Sequence, residues 1–366
     1  MQKHTVKNER IKRTYLIFLK EAKRQDDSSI DTVAKSLNRF EEYTHYKDFK
    51  SFHFEQAVGF KKHLAKQLNL RTGAPLSKST INSTLRQLKT FFEWLAMQSG
   101  YKSRLNYTDM EYFNLSEHDN RIANTKRKKA PPTLEQIKHT IECMQTNSDI
   151  EKRNRALMAF ILLTGIRDSA AASLKLKHID IDHEHVFQDA REVKTKFRKT
   201  FDTYFFPVDD YFRQIIMDWI EHLKSNLLFG LDDPLFPKTK LISGETKSFE
   251  AKGLTNEHWK TATPIRGIFK EAFGNAGHPY FNPHSFRDTL VALGEKRCQT
   301  PEEFKSWSQN LGHEGVLTTL YSYGEVQPHR QAEIFQALKS PQNQPSSNVE
   351  EIAMAVARQL RSSNLG

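Results

Sequence analysis

Asn282-Pro-His-Ser-Phe-Arg287 is the stretch on which the fold turns. Pro283 stands where a helix would start, because its missing N–H costs nothing in a first turn. His284 and Arg287 are three residues apart and are therefore neighbours on one helical face. Phe286, Leu290 and Leu293 fall on the other side, where a core would take them. A His–Arg pair at such a helix start offers an anion two side chains, free backbone N–H groups and the favourable end of the dipole. Alone, the pair is a weak signal, since a surface His and Arg at this spacing is the commoner arrangement.

Working outward, Leu311-Gly-His-Glu-Gly-Val-Leu-Thr-Thr-Leu-Tyr-Ser-Tyr-Gly324 puts a second histidine after a glycine, with Tyr321 and Tyr323 a few turns on. Upstream, Leu162-Leu-Thr-Gly-Ile-Arg167 places an arginine just past a glycine break in a long helix through Ala156, Phe160 and Leu163. That helix is preceded by Pro132, Thr133 and Gln136, a capping-box pattern ahead of Leu134, Ile137 and Ile141. From His178 to Val208 the period changes towards two. Ile179, Ile181, Val186, Phe187, Thr203, Phe205 and Phe206 predict two or three short strands, with Lys194, Lys196 and Lys199 on one strand-like stretch. Helices resume near Tyr211 and continue to about Leu338, with loops at 230–248 and 274–283.

The first third reads as four amphipathic helices, enough to share one core. Their stripes are Ile11, Tyr15, Phe18, Ala22; Ile30, Val33, Leu37, Phe40 behind the capping candidates Ser28 and Ser29; Ala57, Phe60, Leu64; and Ile81, Leu85, Leu88, Phe92, Leu95, closed by Gly100. Lys78, Arg86 and Lys89 lie on the fourth helix. Between about Phe113 and Ala130 periodicity fades and the run Lys126-Arg-Lys-Lys129 accumulates charge, as a linker would. A Pro/Ser/Gln/Asn-rich tail, 339–347, leads to a last amphipathic segment, Val349 to Leu360.

The 366 residues suit two domains. Lysine and arginine number 55 against 44 acids, a formal charge of +11 that favours polyanions, nucleic acid first among them. Cys143 and Cys298 have neither disulfide-framework nor zinc-site spacing. No apolar run approaches the ~20 residues of a membrane span, and no secretory signal is visible at the start. A reducing, cytoplasmic setting is the simplest expectation. P-loop, HExxH and two-metal carboxylate patterns are absent from the sequence.

Each motif is bland alone; their order is not. In sequence, TGIR, VKTKFRK, NPHSFRDT and QNLGHEGVLTTLYSYG resemble the tyrosine recombinase (phage integrase) family, and the resemblance covers almost all of the chain. That family shows an Arg after a Thr-Gly turn, a Lys on a β-hairpin, an HxxR box, an LGH box and a Tyr soon after. The resemblance implies a mainly α fold with a small β-sheet: an N-terminal all-α core-binding (SAM-like) domain over 1–112, a basic linker over 113–131, and an α+β catalytic domain over 132–340. The tail and C-terminal helix, 341–366, would be exchanged between protomers.

It further implies that DNA strands are cut and rejoined through a 3′-phosphotyrosyl intermediate. Arg167 and Arg287 would clamp the phosphate, His284 would accept the nucleophile's proton, Lys196 would protonate the leaving oxygen, His313 would hydrogen-bond the phosphate, and Tyr323 would attack. Lys194 is the rival to Lys196. Tyr321 is the rival to Tyr323, since the commonest family spacing falls on Ser322 between them and helical periodicity admits both. Many members carry an acid three residues after the first Arg, where this chain has Ala170; Asp168 is a candidate substitute. Lys78, Arg86, Lys89, Lys126, Arg127, Lys128 and Lys194 are the expected DNA contacts. No cofactor or metal is expected. The expected partners are double-stranded DNA, a homo-tetramer on two DNA sites and accessory DNA-bending proteins, with no membrane, in a prokaryotic, nucleoid-associated setting. The competing readings are a DNA-binding relative without catalysis and a type IB topoisomerase.

Overall fold

The computed structural model describes residues 5–69, 72–125, 130–243 and 249–313. The chain divides into two compact units, Met1–Lys129 and Ala130–Gly366.

The first unit is helical. Helix α1, Val6–Ile17, runs on through a wider π turn, Phe18–Ala22. It turns Asn8, Lys12, Tyr15 and Leu19 inward, while Ile11 and Phe18 are only partly covered, so the apolar stripe expected from sequence is rotated. The cause is polar. Glu41 of α2 (Asp27–Tyr43) is buried and takes the Lys12 ammonium and Asn8 Nδ2, the latter at 3.0 Å, because a buried carboxylate must be paired. Helix α2 is capped by Asp26, which accepts from Ser29 N at 2.7 Å, and not by Ser28 or Ser29. Helices α3 (Phe54–Lys66) and α4 (Lys78–Ala96) complete a core in which Phe40, Phe52, Phe92 and Phe113 meet as stacked and edge-on rings, Phe52 and Phe92 at 4.1 Å. Short helices α5 (Tyr107–Met110) and α6 (Glu117–Asn124) follow, α6 lying inside the stretch read from sequence as aperiodic.

The second unit is built around α8 (Asp149–Thr164), whose residues from Ala156 to Thr164 are all buried. Before it, α7 (Leu134–Glu142) opens with the Thr133–Gln136 capping box. After it come α9 (Asp168–Ala171) and a three-stranded antiparallel sheet, β1 (Ile179–Asp180), β2 (His185–Gln188) and β3 (Phe201–Tyr204), in register Ile179↔Val186 and Val186↔Thr203. Helix α10 (Asp210–Glu221) packs on α8.

Two expectations are corrected here. The lysine-rich stretch is a loop, not a strand. Asp189 folds back on Arg191, and Phe197 and Arg198 both have left-handed backbones (φ 59° and 51°), which no strand accommodates. Second, β4 (Thr239–Ser243) and β5 (Phe249–Leu254) form a hairpin where loop and helix were expected. Its base is tied to α8 by Arg153, which donates to Pro237 O at 2.6 Å and Thr239 Oγ1 at 3.1 Å and lies over the Trp259 ring. Helices α11 (Thr263–Asn275), α12 (Pro283–Arg297) and α13 (Pro301–Asn310) follow. Among the described residues no helix is long and apolar enough to cross a membrane.

Candidate active site

The site begins where α8 stops. Gly165 ends it with φ +58°, a left-handed conformation that side chains resist. A Cβ there would lie 2.7 Å from Leu311 Cδ2 and 3.1 Å from Leu290 Cδ1, so a helix end, α12 and the turn after α13 close on one residue too small to obstruct them. The Gly165 carbonyl accepts from Arg287 Nη1. Gly165→Ala is expected to destabilise the unit by about 2–4 kcal/mol, strain and overpacking combined, and to displace Arg287's anchor. A denaturant midpoint equal to wild type would contradict this.

Helix α12 starts as expected, with Asn282 capping Ser285 N at 3.2 Å and Pro283 in the first turn. Phe286 and Leu290 are buried, while Leu293 is only half-buried. Arg287 departs from the expected exposed polar pair: it is 3% exposed. Besides Gly165 O, its guanidinium donates to Leu311 O at 2.6 Å and meets His313 Nε2 at 3.1 Å, and its buried Nε has no hydrogen-bond partner among the described residues. Burial, and after it the charge of Arg167, lower its pKa to about 9, which leaves it cationic at neutral pH. A buried guanidinium held by carbonyls keeps its full positive charge for an anion.

The Leu311-Gly-His313 turn has a separate physical reason for each residue. Asn310 fixes it by pairing both ways with the backbone of Tyr204 on β3, at 2.6 and 2.9 Å. Leu311 fills the core and turns its carbonyl to Arg287. Gly312 is left-handed (φ +67°), and a Cβ on it would strike the Phe201 ring at 2.8 Å. His313 is then delivered to Arg287. Burial, followed by the charges of Arg287 and Arg167, pushes its pKa down to about 4, so the ring is neutral at pH 7. Arginine cannot accept a hydrogen bond, so Nε2 is the bare nitrogen and Nδ1 carries the proton.

Arg167 sits just before α9 in extended backbone, half-buried, with its pKa lowered by burial; its guanidinium has no hydrogen-bond partner among the described residues. His284 exposes one face to solvent, yet desolvation of the rest lowers its pKa. The charges of Asp288, Arg287, Arg167 and Asp168 all act on it. Lys196 adds its charge to the field on His313 and rests its ammonium over the Phe197 ring at 4.7 Å. Lys194 is spent on structure: its N–H donates to Ser173 Oγ at 2.8 Å and its ammonium to Lys260 O at 3.1 Å. Arg167, Lys196, His284, Arg287 and His313 are therefore brought together, and Lys194 holds their loop.

Asp168 does not engage Arg167. Its carboxylate accepts from Arg266 Nε on α11 at 2.8 Å, across 98 residues of sequence. Arg266 and Asn310 are the residues that sequence reasoning missed; Arg266 belongs to no periodic or motif pattern, and Asn310 stands inside QNLGH without a chemical signal of its own.

In the first unit, Lys78 pairs with Asp119 and Lys89 with Glu111, both at 2.9 Å, whereas Arg86 is exposed on α4 without an ion-pair partner among the described residues. Exposed pairs of this kind are weak and exchange readily for phosphate. Lys126, Arg127, Lys128, Tyr321 and Tyr323 lie outside the described residues. No group of three or more His, Cys, Asp or Glu that could hold a metal ion occurs among the described residues. Chemically, two guanidinium groups, a neutral imidazole donor and a nearby ammonium make a receptor for a tetrahedral oxyanion.

The model of the phage integrase family matches residues 133–328. A tyrosine recombinase XerC of Halalkalibacterium halodurans is 21% identical over 319 residues, 86% of this chain and 92% of that protein. One from Lactobacillus delbrueckii subsp. bulgaricus is 23% identical over 265 residues, 70% and 76% respectively. The Tn1549 transposon integrase, solved in complex with transposon right end DNA, superposes with a TM-score of 0.59 at 16% identity, covering 90% of this chain and 99% of that one.

Proposed function

The chain belongs to the phage integrase family and is a tyrosine-type site-specific recombinase, and on that premise we propose that it cuts and rejoins duplex DNA through a 3′-phosphotyrosine on Tyr323. The observation that carries the reading is the convergence on Arg287. Its guanidinium touches Gly165 of the first motif and Leu311 and His313 of the last, binding three distant sequence boxes into one anion receptor.

In the proposed reaction Arg167 and Arg287 hold the non-bridging oxygens, and their charge opposes the negative charge that builds as the nucleophile adds. The Tyr323 oxygen forms a bond to phosphorus while its proton passes to His284. The bond from phosphorus to the 5′-oxygen breaks, and that oxygen takes a proton from Lys196. His313 donates from Nδ1 to the phosphate. The phosphotyrosine retains the bond energy, so a second 5′-hydroxyl reverses the sequence and joins a new strand without ATP. Lys196 is preferred to Lys194 because the latter's ammonium is committed to Lys260 O.

Duplex DNA is the proposed partner, gripped by Arg86 with Lys78 and Lys89 released from their ion pairs, and by Lys126, Arg127 and Lys128. Integration or excision of a mobile element by a homo-tetramer on two sites, with accessory bending proteins, in a cytoplasmic and nucleoid setting, extends the same reading.

The test is the polarity of the cut. The full chain is expressed in cells, which are lysed into detergent with a metal chelator, and protein-linked DNA is recovered. Protein on 3′ ends, with 5′ ends that accept kinase label without prior phosphatase, is the expected result. Protein-free breaks with 5′ phosphates would contradict the mechanism.

A further inference from the structure

We propose that Arg266 is a positioning residue for the phosphate site: it holds the Asp168 carboxylate and so keeps that anion from quenching Arg167. The inference rests on the reading of Arg167 and Arg287 as the phosphate clamp.

Asp168 follows Arg167 directly, and its side chain is only 19% exposed, so water does little to screen it. A carboxylate in that place has two outlets. It pairs with the neighbouring guanidinium, which removes the charge a phosphate needs, or it is held elsewhere. The second is what the geometry shows: Arg266 Nε donates to Asp168 Oδ2 at 2.8 Å, while Arg167 has no hydrogen-bond partner among the described residues. Arg266 can hold it there because its helix does not move freely. Ile265 and Phe269, on either side of it in α11, are fully buried, and the Phe269 ring lies 4.9 Å from Phe286 of α12, the helix that carries His284 and Arg287. Asp168 is close enough for its charge to be felt at His284, so an unpaired carboxylate would also repel an incoming phosphate. Arg266 itself is 59% exposed, so Arg266→Ala is expected to fold as the wild type does.

The probe is a nicked duplex of the sequence recovered from wild-type covalent adducts. Arg266→Ala is expected to slow cleavage of bound duplex about tenfold with non-covalent affinity nearly unchanged. Adding Asp168→Asn should restore most of the rate, and Arg266→Lys should retain part of it. A wild-type rate for Arg266→Ala overturns the proposal. So does failure of Asp168→Asn to restore the rate, the result expected if Arg266 grips the duplex itself or merely braces α11. If instead Arg167→Ala cleaves normally, or the wild type forms no adduct, the parent reading falls and this one with it.

Discussion

Arg287→Ala is expected to lower the single-turnover rate of strand cleavage by about 10³–10⁵-fold, the range seen when a phosphoryl-transfer site loses a guanidinium. The loss is electrostatic in origin. Arg287 is 3% exposed and no carboxylate pairs with it among the described residues, so its charge is neither screened by water nor spent on an acid. Such an arrangement costs stability and gains its use only when an anion arrives. Arg287→Lys separates fork from charge. A lysine keeps one positive charge but cannot reach Gly165 O, Leu311 O and a phosphate together, so a loss of about 10²–10³ is expected. Thermal melting and DNA binding of both variants report folding independently. If folded Arg287→Ala cleaves at the wild-type rate, the buried guanidinium is a structural strut and the site lies elsewhere.

Local rules made much of this legible. Thr164-Gly165 reads as a helix end because a left-handed cap wants glycine, Pro283 as a helix start because it lacks an N–H, and Thr133 with Gln136 as a capping box. The relation of the boxes to one another was legible only as order along the chain. What failed depended on partners remote in sequence. Lys12 and Asn8 turn inward because Glu41 is buried opposite them, which no periodicity in α1 reveals. Val193 to Lys199 alternates like a strand, yet the Asp189–Arg191 turn and the left-handed Phe197 and Arg198 make it a loop. Arg287 looked like half of an exposed pair, since spacing assigns a face but not what covers it. The Asp168–Arg266 contact spans 98 positions and carries no motif. The β4–β5 hairpin was hidden by its lysines and glycines, which weaken the signal of a strand.

Tyr323→Phe is expected to abolish covalent attachment altogether, the largest effect of any single substitution here. The change removes one oxygen and keeps the ring, so DNA affinity is expected to persist while the bond-forming atom is gone. Arginines and histidine around the phosphate lower a barrier, and their loss leaves residual rate; a missing nucleophile leaves none. Tyr321→Phe should have no such effect, because the Ser322-Tyr323-Gly324 ending resembles a variant of the family in which the Tyr before the Gly reacts.

The most direct measurement is therefore covalent trapping with three full-length chains, wild type, Tyr323→Phe and Tyr321→Phe, expressed side by side, lysed in denaturant and assayed for protein that stays bound to DNA. An adduct is expected from wild type and Tyr321→Phe and none from Tyr323→Phe. An adduct lost only in Tyr321→Phe would move the nucleophile by two residues, and the absence of any adduct from a wild-type chain that binds DNA would contradict the claim that this protein breaks DNA at all.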